Sequence, residues 1–203
     1  AGGVWHDVWA RELPDDSGSA YTLVGRNSNE GPGRVVQCHL DDGGSSCAPV
    51  TLDFDEWGWD DLDPIRVTGT LSEGTPLPLI GVQGRSPGSP SGVWITEDGE
   101  EFGFYPLGPD LTVSAVLRPG VASSWLFGSD GLVANYSAKG WSTWPAPVEG
   151  ITIRAATLVG KTYLAVGDDP ASGEAWLAAL DFEDASVSSD AWRVTPLGID
   201  RQA

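Results

Sequence analysis

Histidine, cysteine and methionine are almost absent from this chain of 203 residues, which contains two histidines, two cysteines and no methionine. Neither His6 nor His39 has a serine or cysteine beside it in a recognisable nucleophile setting. The sequence also lacks the Gly-x-Ser-x-Gly, His-Glu-x-x-His and phosphate-loop motifs of common hydrolases, zinc peptidases and nucleotide-binding enzymes. We therefore expect no catalytic residues, no enzymatic activity and no cofactor.

Basic residues are scarce as well. The chain has 11 lysines and arginines against 29 acidic residues, for a formal net charge of −18. Such a charge repels phosphate backbones and anionic lipids, so nucleic acid and the membrane surface are not expected partners. No apolar run is long enough to span a bilayer, which predicts no membrane insertion. The acidity fits either solubility and adaptation to a salty medium, or attraction of cations or a basic partner.

The two cysteines, Cys38 and Cys47, flank the segment His-Leu-Asp-Asp-Gly-Gly-Ser-Ser, whose centre is a strong hairpin-turn signal. Folding this turn places the two sulfurs opposite one another on neighbouring strands, which predicts a disulfide. Metal ligation is the alternative, but with only His39 nearby the two thiols fall short of a four-ligand zinc site. A disulfide implies an oxidising compartment, and hence an extracellular location or the surface of a cell or virion. The first residues, Ala-Gly-Gly-Val-Trp, fit either a mature form or a cytosolic chain without its methionine.

Glycine, proline and tryptophan are abundant, with 27, 15 and 10 residues. Many turns together with many large aromatic side chains favour an all-β protein of short strands. A run of aliphatic or aromatic residues that ends in glycine occurs four times, and strand-like segments flank each copy. The anchoring glycines of these runs are Gly25, Gly84, Gly128 and Gly167.

Each run belongs to a set of four strand-like segments, and the set recurs at a period of roughly 40–60 residues. This pattern predicts an all-β fold, a β-propeller of four antiparallel four-stranded repeats in a single domain. The domain covers 1–203, and the repeats cover about 4–62, 63–109, 110–150 and 151–200. The near-identical phrases Pro-Leu-Gly-Pro-Asp and Pro-Leu-Gly-Ile-Asp end the second and fourth repeats. If the four repeats close into a ring we expect a monomer, and otherwise the chain is part of an assembly.

Two alternatives compete with parts of this prediction. A β-sandwich also has short strands, but it does not repeat a four-part phrase in a fixed order. The segment Glu-Ala-Trp-Leu-Ala-Ala-Leu-Asp-Phe-Glu-Asp (174–184) could form a helix on propensity alone, because alanine, leucine and glutamate dominate it. Its place in the repeat favours a strand.

The segment Thr-Glu-Asp-Gly-Glu-Glu-Phe (96–102) resembles the Asp-box, a turn of sialidase-like bacterial propellers. The resemblance implies a structural turn that joins the third and fourth strands of a repeat. In such a turn the Thr96 and Asp98 side chains bind backbone N–H groups. Gly99 would take a positive φ, and Phe102 would pack beneath the sheet.

The resemblance does not extend to sialidase chemistry, which needs three arginines that converge on a carboxylate. Arg66 and Arg154 are the only arginines in clear first-strand contexts. By repeat number the chain is similar to four-bladed, hemopexin-like propellers, which tie the first and last blades together with a disulfide. Here Cys38 and Cys47 both lie in the first repeat, so that feature is missing.

The segment Asp-Phe-Asp-Glu-Trp-Gly-Trp-Asp-Asp (53–61) is the most unusual stretch. It could be a platform for a glycan or a protein, because tryptophan faces supply apolar area and carboxylates accept hydroxyl protons. The platform residues are Trp57, Trp59, Asp55, Glu56, Asp60 and Asp61. It could instead bind calcium, although its spacing does not match an EF-hand. The calcium ligands would be Asp53, Asp55, Asp60 and Asp61. A third interpretation is an acidic loop whose two tryptophans pack over the edge of the first repeat.

Together these features predict a non-catalytic recognition module, extracellular or particle-associated, that binds a glycan or a protein. The first alternative is a structural component of a larger assembly, such as a virion or a surface appendage. The second alternative is a glycosidase-like enzyme. All three depend partly on analogy between folds, and a fold by itself does not determine a function.

Overall fold

The computed structural model of the chain describes residues 3–14, 17–27, 32–50, 62–86, 88–107, 111–137, 139–181 and 191–200. Within these ranges the backbone forms sixteen β-strands in four sheets of four strands, and it forms no α-helix. The described residues thus contain no helix long and apolar enough to cross a membrane. The strands divide between two compact units, residues 1–110 and residues 111–203.

The first unit contains sheets 1 and 2. Sheet 1 consists of β1 (Val4–Glu12), β2 (Ser19–Arg26), β3 (Gly33–Asp41) and β4 (Gly44–Pro49). Sheet 2 consists of β5 (Leu62–Ser72), β6 (Thr75–Gly84), β7 (Gly92–Thr96) and β8 (Phe102–Pro106).

The second unit contains sheets 3 and 4. Sheet 3 consists of β9 (Val113–Gly120), β10 (Ser123–Gly128), β11 (Val133–Ser137) and β12 (Gly140–Thr143). Sheet 4 consists of β13 (Thr152–Val159), β14 (Thr162–Asp168), β15 (Glu174–Asp181) and β16 (Arg193–Asp200).

Every sheet is an antiparallel meander in which strands adjacent in the chain are hydrogen-bonded neighbours. This topology confirms the predicted class of four antiparallel four-stranded repeats. The strand interpretation of the alanine-rich segment is also confirmed, because β15 pairs with β14 on one side and β16 on the other. Pairing along both edges outweighs the helix propensity of alanine and leucine. The organisation of 1–203 as a single domain stays a prediction.

The first strand of every sheet contains a β-bulge, one extra residue that interrupts its pairing with the second strand. The extra residues are His6, Ile65, Ser114 and Arg154. In sheets 1, 3 and 4 the residue of the second strand beside the bulge is an anchoring glycine. These glycines are Gly25, Gly128 and Gly167.

Close contact between backbones explains why glycine recurs beside the bulge. A Cβ atom on any of the three glycines would overlap a backbone carbonyl oxygen that lies in the first strand of the same sheet or directly before it. The oxygens belong to Val4, Thr112 and Thr152, respectively. Sheet 2 differs, because Val82 stands beside its bulge and Gly84 lies two residues further along β6, where a Cβ would meet Ser89. The repeated glycine of the sequence therefore marks the bulge in sheets 1, 3 and 4, and it marks a contact with a loop in sheet 2.

The core of the first unit lies between sheets 1 and 2. Its buried residues are Val24, Val35, Leu62, Val67, Ile80, Val82 and Trp94. Trp9 packs against this core, and its ring lies on Gly69 of β5, where a Cβ would come within 2.9 Å of ring carbons. The Val67 backbone N–H also donates a 3.0 Å hydrogen bond to Asp7 Oδ2. These contacts hold the first strands of the two sheets side by side.

The core of the second unit is larger and richer in aromatic residues. Its buried residues are Ala115, Trp125, Phe127, Val133, Ile151, Ile153, Tyr163, Ala165, Trp176, Ala178, Leu180 and Trp192. The Trp125 ring lies 4.8 Å from the Tyr163 ring and 4.9 Å from the Trp144 ring, centroid to centroid. Burial raises the pKa of Tyr163 to about 12, because the phenolate would lose its hydration. A hydrogen bond of 3.2 Å from Trp192 Nε1 to the Pro145 carbonyl joins the residue before β16 to the segment between β12 and β13.

Cys38 and Cys47 are direct partners in the register of β3 and β4, and they form a disulfide. Their Cα atoms are 4.1 Å apart. The disulfide predicted from the hairpin is therefore present, and it crosses the outer two strands of sheet 1.

Removing this disulfide with the double substitution Cys38→Ala and Cys47→Ala is expected to lower the free energy of unfolding by about 2–3 kcal/mol. The cross-link closes a short loop, so its main effect is to restrict the unfolded chain. Urea denaturation of the variant and the wild type measures the difference. An unchanged unfolding midpoint, or two free thiols in the denatured and unreduced wild type, would contradict the prediction.

Candidate binding site

The acidic tryptophan segment supplied the site residues predicted from the sequence. Trp57, Trp59, Asp55, Glu56, Asp60 and Asp61, and the calcium ligand Asp53, all lie outside the described residues. Across the ranges that the structure does describe, no three histidine, cysteine, aspartate or glutamate side chains are grouped so as to hold a metal ion. The platform and calcium interpretations stay predictions.

The turn between β7 and β8 is organised by two side chains. Gly99 N–H donates to Thr96 Oγ1 at 2.8 Å, and Gly99 has a φ of +87°. Asp98 Oδ1 accepts from the N–H groups of Glu100 and Glu101 at 2.8 and 2.9 Å. The chain then enters β8 at Phe102, which packs partly buried against the core of the first unit. These contacts organise the turn, which favours a structural role for the segment.

Asp98 makes the turn sensitive to acid. The backbone hydrogen bonds from Glu101 and Glu100 lower its pKa below the ordinary 3.8. The stabilisation is therefore present above pH 3.8 and is lost as the pH falls through the lowered pKa. We expect the carboxyl carbon-13 resonance of Asp98 to titrate below 3.8, and the Glu100 and Glu101 amides to shift with it. A midpoint at or above the ordinary value, with unmoved amides, would contradict this prediction.

A cluster of basic and aromatic side chains occupies the end of sheet 1 where β1 begins and β2 ends. We call Trp5, His6, Arg26 and Arg34 the basic cluster. The β-bulge places His6 out of register between Trp5 and Asp7. Arg26 is the last residue of β2, and Arg34 pairs with Gly25 at the start of β3. Three neighbouring strands thus supply the cluster.

His6 and Arg26 meet a carboxylate from sheet 2. Arg26 Nε lies 3.2 Å from Asp63 Oδ2 and donates to His6 Nε2 at 3.4 Å. His6 Nε2 also lies 3.4 Å from Asp63 Oδ1, yet this buried oxygen has no hydrogen bond. The Arg26–Asp63 ion pair, with the His6 ring beside it, therefore joins sheet 1 to sheet 2.

Trp5 and Arg34 form the outer part of the cluster. Both pair with Gly25, which has no side chain to separate them, and the Arg34 guanidinium lies 5.2 Å from the Trp5 ring centroid. This distance is within the range of a cation–π interaction. Trp5 is nevertheless 44% exposed. The same end of the sheet opens onto a hollow of about 610 Å³ lined by Asn27, Gly33, Arg34, Val35 and Pro49, among others.

The second unit carries a related pair in sheet 4. Arg154, the bulged residue of β13, donates to both carboxylate oxygens of Asp168 at 2.5 and 3.1 Å. The hydrogen bond to Asp168 raises the pKa of Arg154 further. In sheet 3 the bulged residue, Ser114, donates to the Ile153 carbonyl oxygen and so ties β9 to β13. Arg154 and Asp168 neutralise each other, which favours a structural role for this pair.

Reasoning from the sequence missed the basic cluster. In the sequence His6 has no nucleophile beside it, and no pattern singles out Arg26 or Asp63. One signal was available. In sheet 1 the bulged residue is His6, and Arg26 follows the anchoring glycine. Sheet 4 repeats this pattern, with Arg154 at the bulge and Asp168 after the glycine.

Comparison with known proteins gives no family and no curated relative, since neither a protein family nor a curated protein matches the sequence. Solved structures do match. One described as "YCF48 bound to D1 peptide" superposes with a TM-score of 0.52 and 11% identity, over 95% of this chain and 53% of that chain. The fold is a β-propeller. The chain spans about half the length of this neighbour.

A second neighbour is described as a GH43_1 enzyme from Xanthomonas citri complexed with xylotriose. Its TM-score is 0.48 at 11% identity, over 95% of this chain and 72% of that chain. At such identities the likeness concerns the fold alone. The Asp-box character of residues 96–102 stays a resemblance carried by one turn.

Proposed function

We propose that the protein is a non-catalytic recognition module that binds a carboxylate-bearing peptide or protein segment at the basic cluster of sheet 1. The observation that carries this proposal is the placement of Arg34 against the exposed Trp5 ring, beside an open hollow. An arginine fork recognises carboxylates through two parallel hydrogen bonds.

Charge supports the proposal. In a chain with a net charge of −18, the Arg34 guanidinium supplies a local positive charge at this end of sheet 1. No described carboxylate forms a salt bridge with Arg34, whereas Arg26 is held by Asp63. Stacking on Trp5 limits the conformations of the Arg34 side chain, which lowers the entropy cost of binding. An acidic ligand would be attracted to this end and repelled by most of the remaining surface.

A peptide is the favoured ligand class for two reasons. The hollow beside Arg34 is lined by both apolar and polar groups, Val35 and Pro49 together with Asn27, as extended peptides require. The fold neighbour YCF48 is described as bound to a peptide. Binding rather than catalysis is proposed because Asp63, the carboxylate that the described residues bring to the basic cluster, is engaged by Arg26 and largely buried. The disulfide supports an extracellular or particle-surface location for this activity.

An array of acidic peptides tests the proposal, with each glutamate or aspartate peptide matched by its glutamine or asparagine form. We expect the wild type to retain acidic peptides and Arg34→Gln to weaken binding at least tenfold, as for other hydrogen bonds to charged groups. Arg11→Gln is the matched control, because Arg11 is an exposed arginine at the opposite end of β1. Binding should also weaken as the salt concentration rises.

Three outcomes would overturn the proposal. Arg34→Gln could bind as well as the wild type, or the matched neutral peptides could bind as well as the acidic ones. The third is retention of glycans from a parallel glycan array with no peptide retained, which would favour glycan recognition. Hydrolysis of a retained glycan would favour the glycosidase alternative, and stable incorporation into a larger particle would favour the structural one.

A further inference from the structure

A second pocket lies in the first unit, at the opposite end of sheet 1 from the basic cluster. Its volume is about 340 Å³, near the lower limit of ligand pockets. The pocket wall is formed where β2, β3 and β4 run side by side. Leu13 after β1, Gly74 in the turn after β5 and Pro76 at the start of β6 close it. The Cys38–Cys47 disulfide joins β3 to β4 along this wall.

Four neutral or weakly basic polar side chains share the wall. Thr22 pairs with Gln37, and His39 pairs with Ser46, in adjacent rows of the sheet. Residues two apart on a strand project to the same face, so all four belong to one face. Thr22 is 1% exposed, and its hydroxyl has no hydrogen-bond partner. A buried hydroxyl without a partner is costly in a native protein and points to a ligand group that can bind it.

The remaining lining is mainly apolar, and Tyr21, Cys38 and Cys47 complete it from a row of their own. Ala20 and Ala48 lie in the same two rows as the polar side chains, and Leu13 and Pro76 line the pocket from outside sheet 1. Among the described residues no carboxylate lines the pocket. Asp41 Oδ2 lies 3.6 Å from His39 Nδ1. The pocket therefore suits a neutral ligand with one apolar face and several hydrogen-bonding groups.

We propose that this pocket binds a neutral sugar ring. The C–H face of a sugar packs on aliphatic groups, while its hydroxyls pair with hydroxyl, amide and imidazole side chains. Gln37 supplies a donor and an acceptor at the centre of the wall, and Thr22 supplies a hydroxyl at the floor. The disulfide holds the strands of Gln37 and Ser46 together and so preorganises the pocket. This site is separate from the proposed peptide site and does not depend on it.

Nuclear magnetic resonance titration of the wild type tests the inference directly. The probes are glucose, galactose, mannose and xylose, with cyclohexanol as a ring of similar size that carries a single hydroxyl. At least one sugar should shift the amides of Thr22, Gln37 and Ala48 in a saturable way. Gln37→Met, which keeps the side-chain length and removes the amide, should weaken that sugar about five- to tenfold. Thr157→Val on sheet 4 is the control and should have no effect.

The inference is overturned if no sugar shifts these amides, or if cyclohexanol binds as well as the best sugar and Gln37→Met leaves both unchanged. If Gln37→Met does not fold, Thr22→Val gives the same readout with a nearly isosteric side chain. Arg34→Gln should leave the sugar titration unchanged. Loss of sugar binding in Arg34→Gln would assign the sugar to the basic cluster and would also overturn the inference.

Discussion

Replacing Trp176 with alanine is expected to lower the free energy of unfolding of the second unit by about 3–5 kcal/mol. Trp176 is 4% exposed and belongs to the aromatic core between sheets 3 and 4. Its ring also covers Gly167, the cross-strand partner, where an added Cβ would lie 2.5 Å from ring atom Cζ2. Losing the ring therefore opens a cavity and uncovers the backbone of β14 at the same place.

Hydrogen exchange with chemical denaturation measures this effect and locates it. Amides of β13, β14 and β15 should lose protection in Trp176→Ala, whereas those of β5, β6 and β7 in the first unit should keep it. Trp5→Ala is the matched control, because Trp5 is 44% exposed and should cost about 1 kcal/mol or less. If Trp176→Ala lowered the free energy of unfolding by no more than Trp5→Ala does, the Trp176 ring would not organise the core.

Gly128→Ala is expected to destabilise the second unit by about 2–3 kcal/mol. Gly128 is buried at the end of β10, and its new Cβ would overlap the carbonyl oxygen of Thr112. That oxygen accepts a 3.0 Å hydrogen bond from the Ser129 N–H, so moving it away breaks a backbone contact at the bulge. The side chain has no open space, and the strain must be taken up by the backbone.

Gly120 provides the control for this substitution, since it lies at the other end of the same hairpin. No atom lies within 4 Å of a Cβ built on Gly120, and its φ is not in the left-handed region. Gly120→Ala should therefore be neutral, or stabilising by about 0.4–1 kcal/mol through the unfolded state. Equal melting temperatures for the two alanine variants would contradict the role assigned to the anchoring glycines.

The fold could be predicted from the sequence because its determinants are local and repeated. The glycine-ended runs, the alternating strands and the turn residues recur in one order, and each sheet pairs strands that are adjacent in the chain. The alanine-rich segment shows the limit of propensity. Glu174–Asp181 is a strand because it has partners along both edges, which only the repeat could indicate.

The candidate site could not be predicted in the same way, because it depends on contacts between sheets. Asp63 reaches His6 and Arg26 only through the packing of sheet 2 on sheet 1, and no local pattern specifies that packing. The bulge at His6 changes which side chains meet, and a one-residue shift of register is invisible in a hydrophobic pattern. The acidic tryptophan segment drew attention by its composition, which indicates exposure and charge but not geometry.

Titration of the isotope-labelled protein with a matched pair of peptides tests carboxylate recognition at Arg34 most directly. The pair is the best acidic peptide from the array and its neutral counterpart. We predict saturable shifts at the amides of Trp5, Gly25 and Arg34 with the acidic peptide, and at least tenfold weaker binding of the neutral one. Equal affinities for the two peptides, or shifts confined to residues outside this end of sheet 1, would contradict the proposed recognition site.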